Sequence, residues 1–217
     1  MKRILCTVIS CILLLRCAVP VGASATASVP TRVINVVYDD SGSMYSGTDT
    51  WCRAKYSMEV FSAMLGETDK MNVYYMSDYI GSTSAPPRIT LNGADGADIN
   101  VAKLHNEKTF ADSTPFNAVR KAYADLDGAD AEEKWLVILT DGEFENGRMS
   151  SAEIDSYLAG KSNDVKVMFL GMGQNAAGIT ENAGNGIYYV DAKTNSQILS
   201  RITEICTRVF NSNKLED

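Results

Sequence analysis

Two apolar runs of this chain lead directly into short segments rich in oxygen-bearing side chains. The run from Val33 to Tyr38 is followed by Asp39-Asp40-Ser41-Gly42-Ser43, and the run from Trp135 to Leu139 by Thr140-Asp141-Gly142. A third such segment, at Thr114, opens a helix. The carboxylates of Asp39 and Asp141 and the three hydroxyls of Ser41, Ser43 and Thr114, without a usable His or Cys, form a hard oxygen set that favours Mg²⁺, Mn²⁺ or Ca²⁺ over zinc or copper. The sequence therefore predicts a divalent cation site with these ligands: Asp39, Ser41, Ser43, Thr114 and Asp141.

Such a site would be suited to capturing an acidic group. Hydroxyls bind a cation without neutralising it, so an ion coordinated directly by serine and threonine, with the carboxylates acting through water, stays electrophilic. Its open position would then accept a carboxylate from a protein partner. Three residues in or beside these segments are candidates for a partner-contact rim: Asp40, Tyr45 and Glu143. As the simpler alternative, Glu143 and the nearby Glu145 are expected to be solvated loop acids.

Alternating strand-like and helix-like runs indicate the elements that position these residues. Six runs are typical of strands: 33–38, 71–76, 89–91, 135–139, 165–170 and 187–190. Helical patterns cover 51–65 and 195–210. A third helix is opened by Thr114-Pro115, with Pro115 as its first helical residue. A fourth runs from the Ser150-x-x-Glu153 capping box to about Ala159.

This pattern predicts a doubly wound α/β domain with a mostly parallel sheet and a short edge strand at 89–91 that pairs back as a hairpin. Ligands of such sheets bind at the carboxyl ends of the strands, near the point where the strand order reverses. If the strands at 33–38 and 135–139 are neighbours, Asp39 and Asp141 face each other across that crevice, and Thr114 closes its third side.

The first residues have the pattern of a secretory signal peptide. Lys2 and Arg3 precede an apolar run from Ile4 to Leu15, and A-x-A-like sequences follow, with cleavage expected near Ala25 or Ala27. A run of twelve residues would form a helix of roughly 18 Å, short of a ~30 Å hydrocarbon core; the alternative is an uncleaved anchor. The predicted organisation is signal peptide 1–25, linker 26–31, domain 32–212 and polar tail 213–217, in a secreted or cell-surface protein.

Removal of the signal peptide changes the charge and the number of cysteines. The formal net charge of -7 becomes -10, because the signal peptide contains three basic residues and no acidic one. A protein this acidic is not expected to bind nucleic acid. Of five cysteines, Cys52 and Cys206 remain. They permit one disulfide in an oxidising compartment, whereas their placement on two different helices favours two separate thiols.

The sequence lacks the usual components of several enzyme classes. A serine hydrolase needs an oriented base, and neither a G-x-S-x-G motif nor a second histidine is present. There is no P-loop and no G-x-G-x-x-G after the first strand, which argues against nucleotide binding. A metal-dependent hydrolase with Asp39 as nucleophile would need further phosphate ligands, for which candidates are few.

The pattern D-x-S-G-S at 39–43, Thr114 and T-D-G at 140–142 resembles the metal-ion-dependent adhesion site of von Willebrand factor A domains. The resemblance covers about residues 31–212. It implies a six-stranded Rossmann-like fold with one antiparallel edge strand, a divalent cation that is usually Mg²⁺, and a protein ligand that donates a carboxylate. A second hypothesis is that the domain assembles with other chains and that the metal only orders its loops.

Overall fold

The computed structural model describes residues 31–46, 50–105, 111–142, 144–173 and 179–210. The predicted signal peptide, its cleavage site, nearly all of the linker, Glu143 and the polar tail lie outside the described residues and stay predictions. Within the described ranges, none of the helices combines the length and the apolar character needed to cross a membrane.

Six strands form one sheet in the order β3-β2-β1-β4-β5-β6. The strands are β1 (Arg32–Tyr38), β2 (Lys70–Tyr75), β3 (Ile89–Asn92), β4 (Glu133–Thr140), β5 (Val165–Gly171) and β6 (Ile187–Asp191). All neighbours are parallel except β2 and β3, which are antiparallel. This confirms the predicted mostly parallel six-stranded sheet with one antiparallel edge strand.

The two strands that lead into the oxygen-rich segments are neighbours at the centre of the sheet. Tyr38 at the end of β1 is paired with Leu139 near the end of β4. The ladder continues one residue further, because the Asp39 amide donates to the Leu139 carbonyl at 2.9 Å. Asp39 and Asp141 therefore emerge side by side from the carboxyl edge, as expected from the sequence.

Helices cover both faces of this sheet. They are α1 (Gly42–Ser46), α2 (Thr50–Ala63), α3 (Ala97–His105), α4 (Asn117–Asp127), α5 (Ser151–Ala159) and α6 (Asn195–Phe210). One core layer packs α2 and α6 against the face of β1 that carries Ile34 and Val36, and the other packs α4 and α5 against the face that carries Val37. Asn35 also faces the second layer, where its buried side-chain amide donates to the Ala122 carbonyl at 2.8 Å.

The helix bounds confirm some predictions and correct others. The capping box of Ser150 and Glu153 is present and starts α5 where predicted, and α6 spans the predicted residues. In contrast, α4 begins at Asn117 after Phe116, so Pro115 is not its first helical residue. The helix α3 was not predicted, because only Asn100 and Leu104 of its nine residues are buried and the apolar pattern is correspondingly weak.

Cys52 and Cys206 are both free thiols, so the structure has the two separate thiols and not the disulfide. Cys52 is exposed, whereas Cys206 is buried, and burial raises the pKa of its thiol to about 11. Because the thiolate is the reactive form, we predict that a thiol reagent labels one cysteine in a folded protein starting at residue 26, and two after unfolding in guanidinium. Cys52→Ser should abolish labelling of the folded protein. Rapid native labelling of both cysteines would contradict the burial of Cys206.

Candidate metal centre

Asp39 is the most deeply buried of the predicted ligands, with none of its surface exposed. Its Oδ1 accepts a hydrogen bond from the Ser41 amide at 3.0 Å, and its Oδ2 accepts one from the Thr140 hydroxyl at 2.7 Å. Burial, and next the nearby Asp141 carboxylate, raise the pKa of Asp39 to about 6. Two acidic groups are thus held close together at the ends of the central strands.

The two predicted serine ligands converge in the segment that follows Asp39. The hydroxyl oxygens of Ser41 and Ser43 lie 3.0 Å apart. The segment is fixed from the side, because the Gly42 amide donates to the Ala111 carbonyl at 2.9 Å and the Ala111 amide donates to the Asp40 carbonyl at 3.2 Å. These bonds tie the serine segment to the chain that leads to Thr114.

Thr114 brings the third hydroxyl to the same place. It is buried, and its Oγ1 accepts a hydrogen bond from the Asn146 amide at 3.2 Å. Because α4 begins at Asn117 with Phe116 as its N-cap residue, Thr114 does not cap that helix. An open cavity of about 560 Å³ joins the three proposed hydroxyl ligands and is lined by Ser41, Gly42, Ser43, Ala111, Asp112, Ser113, Thr114 and Asn146.

Asp141 completes the set from the end of β4. Its Oδ1 is buried and has no hydrogen-bond partner. An unpaired buried carboxylate oxygen is costly unless a cation or a donor satisfies it. No group of three or more His, Cys, Asp or Glu side chains in the described ranges is arranged to hold a metal ion, so two carboxylates here would need the three hydroxyls as co-ligands. The donor set fits a hard divalent cation.

The predicted rim residues have different surroundings. Tyr45 is 59% exposed, and its ring lies 6.4 Å from that of Trp51, centroid to centroid, beside the serine segment. Asp40, in contrast, has none of its surface exposed, and its Oδ1 accepts the Ser77 amide at 2.9 Å. Its side chain therefore links the end of β1 to the chain after β2 and is not part of a rim. Glu143 lies outside the described residues.

Three residues that support the site were missed in the sequence. Glu145 and Asn146 contact the Thr114 segment, and Glu145 is not a solvated loop acid, because its Oε1 accepts the Phe116 amide at 2.9 Å. Only the Asn-Gly pair at 146–147 indicated a turn there. Gly173 lies so close to Asp141 that a Cβ added to it would be 2.5 Å from the Asp141 Cβ. Nothing in the local sequence reveals that approach.

Comparison with known proteins supports the fold at low sequence identity. Neither a protein-family model nor a curated protein matches the sequence. Among solved structures, the D319A mutant of the PilB minor pilin from Streptococcus sanguinis is similar over 86% of this chain and 63% of that protein, with 15% identity and a TM-score of 0.58. The SpaC pilus adhesin from Lactobacillus rhamnosus GG matches over 85% of this chain and 31% of its own length, with 16% identity and a TM-score of 0.59.

A third similar structure is a von Willebrand factor type A protein from Catenulispora acidiphila, with 12% identity, a TM-score of 0.51, and 80% of this chain and 41% of that chain covered. This chain thus spans less than two thirds of the length of each of the three. Sequence identities this low support a conclusion about the fold alone. The six-stranded sheet, its single antiparallel edge strand and these neighbours show that the chain has a von Willebrand factor A-like α/β fold.

Proposed function

We propose that this protein is a metal-dependent protein-binding module, in which a divalent cation, Mg²⁺ first and Mn²⁺ or Ca²⁺ as alternatives, captures a carboxylate of a protein partner. The observation that carries the proposal is the unpaired, buried Oδ1 of Asp141. It lies near a second carboxylate, Asp39, whose pKa is raised to about 6. The three proposed hydroxyl ligands, Ser41, Ser43 and Thr114, line one open cavity.

Each residue has a distinct part in the proposal. The hydroxyls of Ser41, Ser43 and Thr114 would coordinate directly, and Asp39 and Asp141 would hold the ion through water. Asp39 is suited to that role because its two hydrogen bonds fix its carboxylate in place. When bound, the cation would supply an electrophilic position facing the cavity, where a partner's carboxylate oxygen can bind.

The similar structures support an adhesion or assembly role in general terms. They include a pilus adhesin and a minor pilin, which are surface proteins by their names. A secreted or cell-surface location for this chain, as its first residues suggest, is part of the same proposal. The proposal also includes no catalytic role, in line with the lack of a G-x-S-x-G motif and of a second histidine in the sequence.

The proposal is tested by calorimetric titration of Mg²⁺ and Mn²⁺ into the protein from residue 26 onwards, with Ser43→Ala as the test variant. The Ser43 hydroxyl contacts only the Ser41 hydroxyl among the hydrogen bonds described, so its removal should leave the fold intact. We expect saturable binding, weakened about tenfold in Ser43→Ala because one direct ligand is lost.

Ser113→Ala is the matched control, because Ser113 is a serine that lines the same cavity but is not a proposed ligand. Its cation affinity should stay within about twofold of the wild type. A wild type that binds neither cation, or equal losses in the two serine variants, would contradict the site. Self-association that persists in chelator, without cation binding, would favour the structural alternative in which the domain assembles with other chains.

A further inference from the structure

The turn after Asp141 contains an unusual backbone conformation. Glu145 and Asn146 have φ values of 52° and 56°, and Gly147 follows with 77°. Glycine adopts positive φ freely, but two consecutive non-glycine residues in this region are uncommon, because the Cβ of each is crowded. Such strain persists only where surrounding contacts hold it, and it concentrates at functional sites.

The contacts that hold this turn are made to Thr114 and the segment after it. The Glu145 amide donates to the Thr114 carbonyl at 2.8 Å, and the Asn146 amide donates to Thr114 Oγ1 at 3.2 Å. In return, Asn146 Oδ1 accepts the Thr114 amide at 3.3 Å. The backbone donor, the backbone acceptor and the hydroxyl of Thr114 are therefore all bound by the same two residues.

The turn is also anchored at both of its sides. Phe144 is fully buried, with its ring 5.1 Å from that of Phe116 and 6.4 Å from that of Phe169, centroid to centroid. Glu145 Oε1 accepts the Phe116 amide at the start of α4, a helix whose N-cap residue makes no side-chain cap hydrogen bond. A carboxylate there satisfies an open donor and complements the positive end of the helix.

We infer that Glu145 and Asn146 are positioning residues that hold the Thr114 hydroxyl at the metal centre. The inference rests on the proposed function. The Asn146 amide occupies one lone pair of Thr114 Oγ1, which leaves the second lone pair for a cation and the hydroxyl proton free to donate. The same turn follows Asp141 closely in the sequence, so its bonds to Thr114 connect two stretches of chain that each carry a proposed ligand.

A double-mutant cycle tests this inference, with Mn²⁺ as the probe and the free ion measured by electron paramagnetic resonance. Asn146→Ala removes the side-chain acceptor of the Thr114 amide, retains the backbone amide that donates to Thr114 Oγ1, and places an alanine Cβ in the left-handed conformation. We expect it to weaken Mn²⁺ binding about fivefold to tenfold when Thr114 is present, and less than about twofold in the Thr114→Ala background. A purely structural role would weaken binding equally in both backgrounds.

A second pair of variants keeps the test decisive if Asn146→Ala unfolds. Glu145→Gln retains an acceptor oxygen for the Phe116 amide, whereas Glu145→Ala does not. We expect Glu145→Gln to bind Mn²⁺ like the wild type and Glu145→Ala to lose about fivefold, again only when Thr114 is present. Equal losses with and without Thr114, or no loss in either alanine variant, overturn the inference alone. A wild type that binds no Mn²⁺ overturns the proposed function and the inference with it.

Discussion

Asp141→Asn should abolish cation binding and at the same time stabilise the cation-free protein. The substitution removes a charge that helps to raise the pKa of Asp39 to about 6. It also replaces a carboxylate whose buried Oδ1 has no hydrogen-bond partner, so no described hydrogen bond of that atom is lost. Because burial is the larger cause of the Asp39 shift, we expect only about 1 kcal/mol of added stability at neutral pH.

The measurement is urea unfolding in chelator, followed by the same experiment in saturating Mg²⁺. The wild type should gain stability from the ion, and Asp141→Asn should not. Asp112→Asn is the control, because it removes an exposed charge that lines the same cavity and is not a proposed ligand. If Asp141→Asn destabilised the cation-free protein, or still gained stability from Mg²⁺, the carboxylate pair would not be a cation site.

Gly173→Ala is expected to weaken cation binding, although Gly173 is not one of the proposed ligands. A Cβ at this position would lie 2.5 Å from the Asp141 Cβ and 2.8 Å from the Asp141 carbonyl oxygen. Atoms cannot remain that close, and the loop after β5 is held beside β4 by the hydrogen bond from the Met172 amide to the Thr140 carbonyl. Asp141 must therefore move. We expect a loss of about 1–3 kcal/mol in stability and at least about tenfold in Mn²⁺ affinity.

Gly93→Ala provides the matched comparison. Its Cβ would lie 1.6 Å from the Gly66 carbonyl oxygen, so it should destabilise the fold at least as much. Gly93 follows β3, near the amino end of β2 and at the opposite edge of the sheet from the site. The folded fraction of Gly93→Ala should therefore bind Mn²⁺ like the wild type. If both variants lost affinity equally, the effect of Gly173 would be one of general stability, not of the position of Asp141.

The parts of the fold that could be predicted are those whose signal is local. The two central strands are long apolar runs because both faces of the sheet are covered, and the capping box marks the start of α5 by its spacing alone. The helix α3 could not be predicted in the same way, since most of its surface is exposed. The start of α4 was misplaced because its first turn is capped by Glu145, a residue distant in the chain.

The same distinction between local patterns and contacts distant in the chain applies to the candidate site. Asp39 and Asp141 could be expected to face each other, because both follow buried strands and such strands are commonly neighbours. The burial of Asp40 depends on its bond to the Ser77 amide, a contact with the chain after β2 that no local pattern encodes. The roles of Glu145 and Asn146 depend on a left-handed turn that is stable only against Thr114. The types of ligand can thus be predicted from the sequence, whereas the residues that hold those ligands in place cannot.

The proposed ligands come from three separate stretches of chain, after β1, before α4 and after β4, which meet only in the completed sheet. An unfolded chain or a short fragment would therefore have no comparable site. By mass action, an ion that binds only the folded form stabilises it by an amount that grows with the ion concentration, about 2.7 kcal/mol at a hundredfold excess over its dissociation constant. For the exported protein proposed above, the concentration of divalent ions would then determine how long the protein survives proteases, apart from any role in adhesion.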